Sequence, residues 1–217
     1  MSEPKYLESL NPEQKAAVLQ TKGPIMIIAG AGSGKTRVLT YRIAHLIATG
    51  VDAFNILSLT FTNKAAKEMR NRIETVVGGE ARNIWMGTFH SVFAKILRIE
   101  GDKLGYPSNF TIYDSDDSKS LIKSIVKEMN LDDKVYKPNA ILSRISNAKN
   151  NLIQAHVYQK QSDLIAYDET TGKGKVHAIY LEYSKRCFKA GAMDFDDLLL
   201  NTFKLLNNFP DVLNKYQ

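Results

Sequence analysis

A chain of 217 residues can bury a real core and fills one large domain or two small ones. Its 44% hydrophobic and 24% charged residues are ordinary for a water-soluble globular protein. No run approaches the roughly 18 apolar residues of a membrane span, and MSEPKYLESLNPEQ has no apolar signal-peptide core, so a cytoplasmic protein without membrane contact is expected. The net charge of +6 is compatible with a polyanionic partner without establishing one. The single cysteine, Cys187, has no partner to pair with and lies in a helical run, where a packed thiol is expected rather than a nucleophile.

Taken in chain order, NPEQKAAVLQ predicts a short helix with Asn11 as its cap and Pro12 in its first turn. PIMIIAG (24–30) reads as a strand covered on both faces. TRVLTYRIAHLIATG then places Val38, Leu39, Ile43, Leu46 and Ile47 on one helical face and stops at Gly50. NILSLTF (55–61) predicts a second strand. NKAAKEMRNRIETVVGG predicts a helix capped by Asn63 and stopped at Gly78–Gly79, and NIWMGTFH (83–90) a third strand. Strands alternating with helices indicate an α/β fold with a parallel sheet.

From Ser91 the rhythm becomes helical. SVFAKILRIEGDKLG, DSKSLIKSIVKEMN, PNAILSRISNAKNNL and KVHAIYLEYSKRCFKAG all follow helical spacing, and no strand is expected among them. YDETTGKGKVH (167–177) reads as a polar loop. Its glycines and lysines imitate part of a phosphate loop without the strand that one requires. The last stretch is an amphipathic helix broken at Pro210.

The chemistry concentrates at Ala29-Gly30-Ala31-Gly32-Ser33-Gly34-Lys35-Thr36, which fits G-x-x-x-x-G-K-[ST] at every defined position but the first, where alanine stands for glycine. Glycines let successive N–H groups turn toward phosphate oxygens, and the following helix adds its positive end. Lys35 is expected to reach the β- and γ-phosphates, and the Thr36 hydroxyl to ligate Mg²⁺. This loop does not by itself separate kinases, GTPases, transport ATPases and helicases.

Three further segments narrow the choice. In LNPEQ, the amide of Gln14 can meet adenine with both a donor and an acceptor. LTFTNKAA ends the second strand with Phe61, Thr62 and Asn63, and GTFHS ends the third with Thr88, Phe89 and His90. Strand ends are where open α/β sheets place ligand contacts, and a nucleic-acid base can stack on Phe61 while hydroxyls and a helix N-terminus hold phosphate.

With LNPEQKAAV, AGAGSGKTRVLTYRIAHLI, ILSLTFTNKAAKEMRNRI, MGTFHSVFAKILR, NFTIYDSDD and MDFDDLLL in this order, the chain resembles the UvrD/Rep/PcrA group of superfamily 1 DNA helicases over nearly its whole length. The resemblance implies an ATP-driven motor moving 3′ to 5′ on single-stranded DNA or a 3′-tailed duplex, and it singles out none of the repair or replication pathways or their proteins. It implies a RecA-like core in residues 1–90, an all-helical insertion in 91–192 and a return to the core in 193–217. By the same resemblance, Gln14 recognises adenine, Ala29 is the group's small residue, Gly32, Gly34, Lys35 and Thr36 hold phosphate and Mg²⁺, and Arg37 lies beside the nucleotide. Phe61, Thr62, Asn63, Thr88, Phe89 and His90 fall in its single-strand-contacting motifs, while Asp194 and Asp196 are read as structural.

One part of the family pattern does not occur. No strand followed by an Asp-Glu pair is read in this sequence, and the second RecA-like domain with its arginine fingers is missing, so the chain is expected to be an N-terminal fragment. One arginine finger alone contributes on the order of 10³–10⁵ in rate, so hydrolysis by the fragment is expected to be negligible. An incomplete sheet is also expected to expose an apolar edge. The alternatives are the helicase part of a helicase–nuclease and a nucleotide-dependent DNA-binding or partner-docking module; a small-molecule phosphotransferase leaves Phe61 and Phe89 unexplained.

Overall fold

The structure, a computed structural model, describes residues 4–217, so the first three residues of the expected 1–90 segment lie outside it. The chain divides into one unit running to Val92 and another from Phe93 to Gln217.

The first unit contains α1 (Lys5–Glu8), α2 (Pro12–Leu19), α3 (Lys35–Ala48), β1 (Leu57–Thr60), α4 (Asn63–Val77) and β2 (Trp85–Thr88), and α5 (Phe89–Glu100) begins at its end. Helix α2 starts where expected, with Asn11 as its cap. Just beyond α3, Gly50 adopts φ +94° and its N–H donates to the Ile47 carbonyl at 2.9 Å, a conformation that costs glycine little. The cap of α4 is Thr62 rather than Asn63: its backbone is extended (φ −126°, ψ 145°) and its hydroxyl accepts from the Ala65 N–H at 3.2 Å. Asn63 is already helical, so the side chain that reaches forward to an otherwise unpaired first-turn N–H is the one before it.

Strands β1 and β2 pair in parallel from Leu57↔Trp85 to Thr60↔Thr88, with α4 as the crossover. Ile43, Ala53, Ile56, Met69, Ile73, Ala81, Ile84 and Met86 pack one core, and Leu7, Val18 and Val38 a smaller one. Each fully buried aliphatic side chain such as Ile73 contributes about 1.5–3 kcal/mol relative to exposure. On α3 the buried face includes Thr40 and Ala44, whereas Leu39 is exposed.

The expected strand at 24–30 is not formed. Among the described residues this segment takes part in no ladder, because β1 and β2 pair only with each other. Met26 and Ile28 are 85% and 91% exposed. An apolar run becomes a strand only where a neighbouring edge accepts its hydrogen bonds.

The second unit holds β3 (Thr111–Tyr113), α6 (Ser115–Glu128), α7 (Pro138–Asn150), α8 (Ala155–Tyr158), α9 (Ser162–Thr170), α10 (Val176–Lys189), β4 (Ala192–Asp194), α11 (Phe195–Asn208) and α12 (Pro210–Tyr216). Its helices match the periodic runs, and Pro210 starts α12 as expected of a residue that cannot continue α11. The parallel pair β3–β4 corrects the strand-free expectation for this region. The polar loop read at 167–177 is also corrected: its first part belongs to α9. There Asp168 is buried, accepting from the Tyr158 hydroxyl at 2.6 Å and from Arg144 at 3.0 Å.

Helices α6, α7 and α10 enclose a core with Ile122, Ile141, Ile145, Tyr180, Tyr183 and Cys187. Burial pushes the Cys187 thiol up to about 12, which keeps it protonated and unreactive. Beside this core lies a buried ion cluster. The Lys149 ammonium sits 2.7 Å from Asp194 Oδ2 and 2.7 Å from Asp197 Oδ1, and the Tyr183 hydroxyl donates to Asp194 at 2.8 Å. Asp194 also caps α11 through the Asp197 N–H. Among the described residues no helix is long and apolar enough to cross a membrane.

Candidate nucleotide and nucleic-acid site

The loop between residue 28 and α3 closes on its own lysine. Lys35 Nζ donates to the Ala29 carbonyl at 2.9 Å and to the Gly30 carbonyl at 2.7 Å, and the Ser33 hydroxyl donates to Gly30 O at 2.7 Å. Gly32 and Gly34 have φ of +77° and +87°, the left-handed region where a side chain is strained. Gly34 is the residue before α3, a 14-residue helix whose first turn holds Lys35, Thr36 and Arg37, all exposed. The peptide turns, the helix N-terminus and an exposed ammonium hydrogen-bonded to two loop carbonyls fit a polyphosphate. The Thr36 hydroxyl, exposed in the same turn, fits a Mg²⁺ ligand.

Gln14 reaches this loop from α2. Its Nε2 donates to the Ser33 carbonyl at 2.9 Å, and a Cβ on Gly34 would stand 2.8 Å from that nitrogen. Glycine at 34 is therefore favoured by its φ, while the Gln14 carboxamide, the end of a flexible side chain, would have to move aside for any larger residue. The Arg37 guanidinium lies 5.7 Å from the Tyr41 ring centroid and lines a groove of about 370 Å³ with Thr40, Arg72 and Thr75.

At the paired ends of β1 and β2, Thr60 faces Thr88 in register, which brings the next residues together. The Phe61 and Phe89 rings are 5.6 Å apart and tilted by 38°. Phe61 is 90% exposed, so its outer face is open although its inner one meets Phe89. Thr62 caps α4, and Asn63 is exposed in its first turn. Thr88 is buried, and its hydroxyl accepts from the Ser91 N–H at 3.2 Å while Ser91 donates back to the Thr88 carbonyl at 2.9 Å. His90 is half-buried in the first turn of α5. The structure thus brings Gln14 to Ser33 and Gly34, and Phe61 to Phe89.

Two contacts escaped sequence reasoning. The Gln14–Ser33 bond spans 19 residues and carries no local signal. Arg70, on α4, donates to the Met86 carbonyl of β2 at 2.9 Å and fastens helix to strand; an arginine bonding a strand carbonyl 16 residues on carries no local signal.

Comparison with known proteins agrees in one direction. The sequence model described as UvrD/REP helicase N-terminal domain matches residues 10–217. The chain is 47% identical over 212 residues to the ATP-dependent DNA helicase PcrA of Bacillus subtilis. It is 45% identical to that of Staphylococcus epidermidis and 44% to that of Staphylococcus aureus. Each match covers 97% of this chain, and the chain spans 28% of the length of these relatives.

Proposed function

Because the chain belongs to the UvrD/REP helicase N-terminal domain family, we propose that it supplies the nucleotide grip and part of the single-strand path of an ATP-dependent 3′–5′ DNA motor. The phosphate loop carries this reading: a lysine at the first position of α3, held by two loop carbonyls and following two left-handed glycines. Residues Gly30 to Gly34 and the start of α3 would hold phosphate, and Lys35 would exchange its carbonyl partners for phosphate oxygens. Gln14 reads adenine and Arg37 flanks the nucleotide. Thr36 would hold Mg²⁺, which when bound neutralises phosphate charge.

In this reading 1–90 and 193–217 belong to a RecA-like core and 91–192 to an inserted helical domain. In the same reading the exposed segment 24–28 belongs to the core strand that leads into the phosphate loop. Hydrolysis by the chain alone is negligible, since none of the described strands ends on an Asp-Glu pair.

Phe61, backed by Phe89, stacks a base, and Thr62, Asn63, Thr88 and His90 surround the adjoining backbone. The test is equilibrium binding of a single-stranded oligonucleotide and of a fluorescent ATP analogue. Phe61→Ala should weaken oligonucleotide binding by about 1–3 kcal/mol, the worth of one base–aromatic stack, and leave ATP affinity unchanged. Equal loss of both ligands, or of neither, would remove Phe61 from the DNA path.

A further inference from the structure

We propose that Asn11 is a positioning residue for nucleotide selectivity: its capping box holds the Gln14 carboxamide in one of its two flips, with the donor edge toward the phosphate loop. This rests on the reading of Gln14 as the adenine contact and adds a residue that need not touch the nucleotide.

Three bonds define the arrangement. Asn11 Oδ1 accepts from the Gln14 backbone N–H at 2.8 Å, which anchors the first turn of α2. In return the Asn11 backbone N–H donates to Gln14 Oε1 at 3.2 Å. On its other side, Gln14 Nε2 donates to the Ser33 carbonyl at 2.9 Å. A half-turn of the carboxamide would set its NH₂ against the Asn11 N–H and its oxygen against the Ser33 carbonyl. Both new contacts would be repulsive, so the flip is settled by two independent neighbours.

The fixed amide is not used up. An amide oxygen accepts twice and an amide nitrogen donates twice, so Oε1 keeps one acceptor site and Nε2 one N–H. One acceptor beside one donor is the complement of adenine, which presents its N6 amino donor beside the N7 acceptor. Guanine presents two acceptors, O6 and N7, on the corresponding edge. A carboxamide locked in this flip therefore distinguishes the two bases, whereas one free to rotate spends affinity on being ordered and discriminates less. Asn11 does the locking because the box closes only while its side chain keeps the first turn in place.

The experiment compares wild type with Asn11→Ala, Asn11→Gly, Asn11→Asp and Gln14→Ala. Glycine keeps a tolerable helix start without the side-chain acceptor, so it stands in should the alanine variant not fold; aspartate keeps the acceptor. Affinities for fluorescent ATP and GTP analogues are measured, along with the Gln14 side-chain NH₂ resonances of nitrogen-15-labelled, nucleotide-free protein. In Asn11→Ala and Asn11→Gly, ATP affinity should fall by about tenfold, the scale of one or two lost hydrogen bonds, while GTP affinity barely moves. The Gln14 NH₂ protons should lose their exchange protection in the same variants. Asn11→Asp should restore both properties.

Unchanged ATP-to-GTP preference with an unchanged Gln14 NH₂ signal in the alanine and glycine variants overturns the proposal. If wild type itself shows no such preference, or Gln14→Ala retains it, the adenine reading of Gln14 fails instead. The nucleotide-free spectra then still report whether Asn11 orients the amide.

Discussion

Lys35→Ala should reduce ATP affinity by at least about 3 kcal/mol, more than a hundredfold, without changing the unfolding midpoint. The two effects separate because of where the ammonium is. It is exposed and its partners are the Ala29 and Gly30 carbonyls, which water can satisfy once the lysine is gone. Surface substitutions of this kind shift stability by about 0.5 kcal/mol or less. Phosphate oxygens bound as proposed would, in contrast, lose a charge-assisted donor. Lys35→Arg should not rescue binding, since a planar, forked guanidinium replaces the compact point charge of an ammonium. Equilibrium titration with a fluorescent ATP analogue, beside a urea melt of the same samples, reads both quantities. An ATP affinity within about threefold of wild type would mean that the loop does not hold phosphate through this residue.

Lys149→Met should cost about 3–5 kcal/mol of folding stability, because it strands two carboxylates away from water. Burial alone would lower the Lys149 pKa, yet Asp197 and Asp194 together hold it well above the usual lysine range. Burial pushes the Asp197 carboxyl up to about 6, whereas at Asp194 the same penalty is outweighed by Lys149 and the pKa stays below the usual 3.8. One ammonium thus serves two carboxylates and fully compensates one.

The signs of the pH dependence follow from these directions. Asp197, raised when folded, contributes stability below its ordinary pKa of 3.8 that is lost as pH rises through about 6. Asp194, depressed when folded, contributes above 3.8 and loses that contribution as pH falls. Without the lysine both carboxyls favour protonation, so the deficit of Lys149→Met should be larger at about pH 8 than at about pH 5. Urea denaturation at the two pH values measures it. A loss under about 1 kcal/mol, equal at both, would show that the cluster is not a stabilising element.

How much of this was legible in the sequence depends on how local each feature is. Asn11 and Pro12 announce the start of α2, because a cap and a first-turn proline act at adjacent positions. The runs that became α6, α7, α10 and α11 were readable from helical spacing for the same reason. The run at 24–30 misled because its apolar content says only that it is to be covered; whether it joins a ladder depends on an edge supplied from elsewhere in a sheet. Strands β3 and β4, three residues each, are too short for any period to show. The capping of α4 was off by one residue, since Thr62 and Asn63 both favour that role and only the backbone angles choose between them.

The sequence by itself determined the glycine-rich loop ahead of α3, the start of α2 and the identity of the residues at two strand ends. Those features depend on φ preferences, N–H groups and side chains a few positions apart. The tertiary structure alone decided that Lys149 meets Asp194, 45 residues away, and that Gln14 bonds to Ser33, 19 residues away. It also decided that Phe61 rests against Phe89, through the parallel register of β1 and β2. Such pairings arise when separate segments compete to bury surface and satisfy polar groups. No local period encodes the winner of that competition, which is why the flip of the Gln14 amide became visible only with the loop folded beside it.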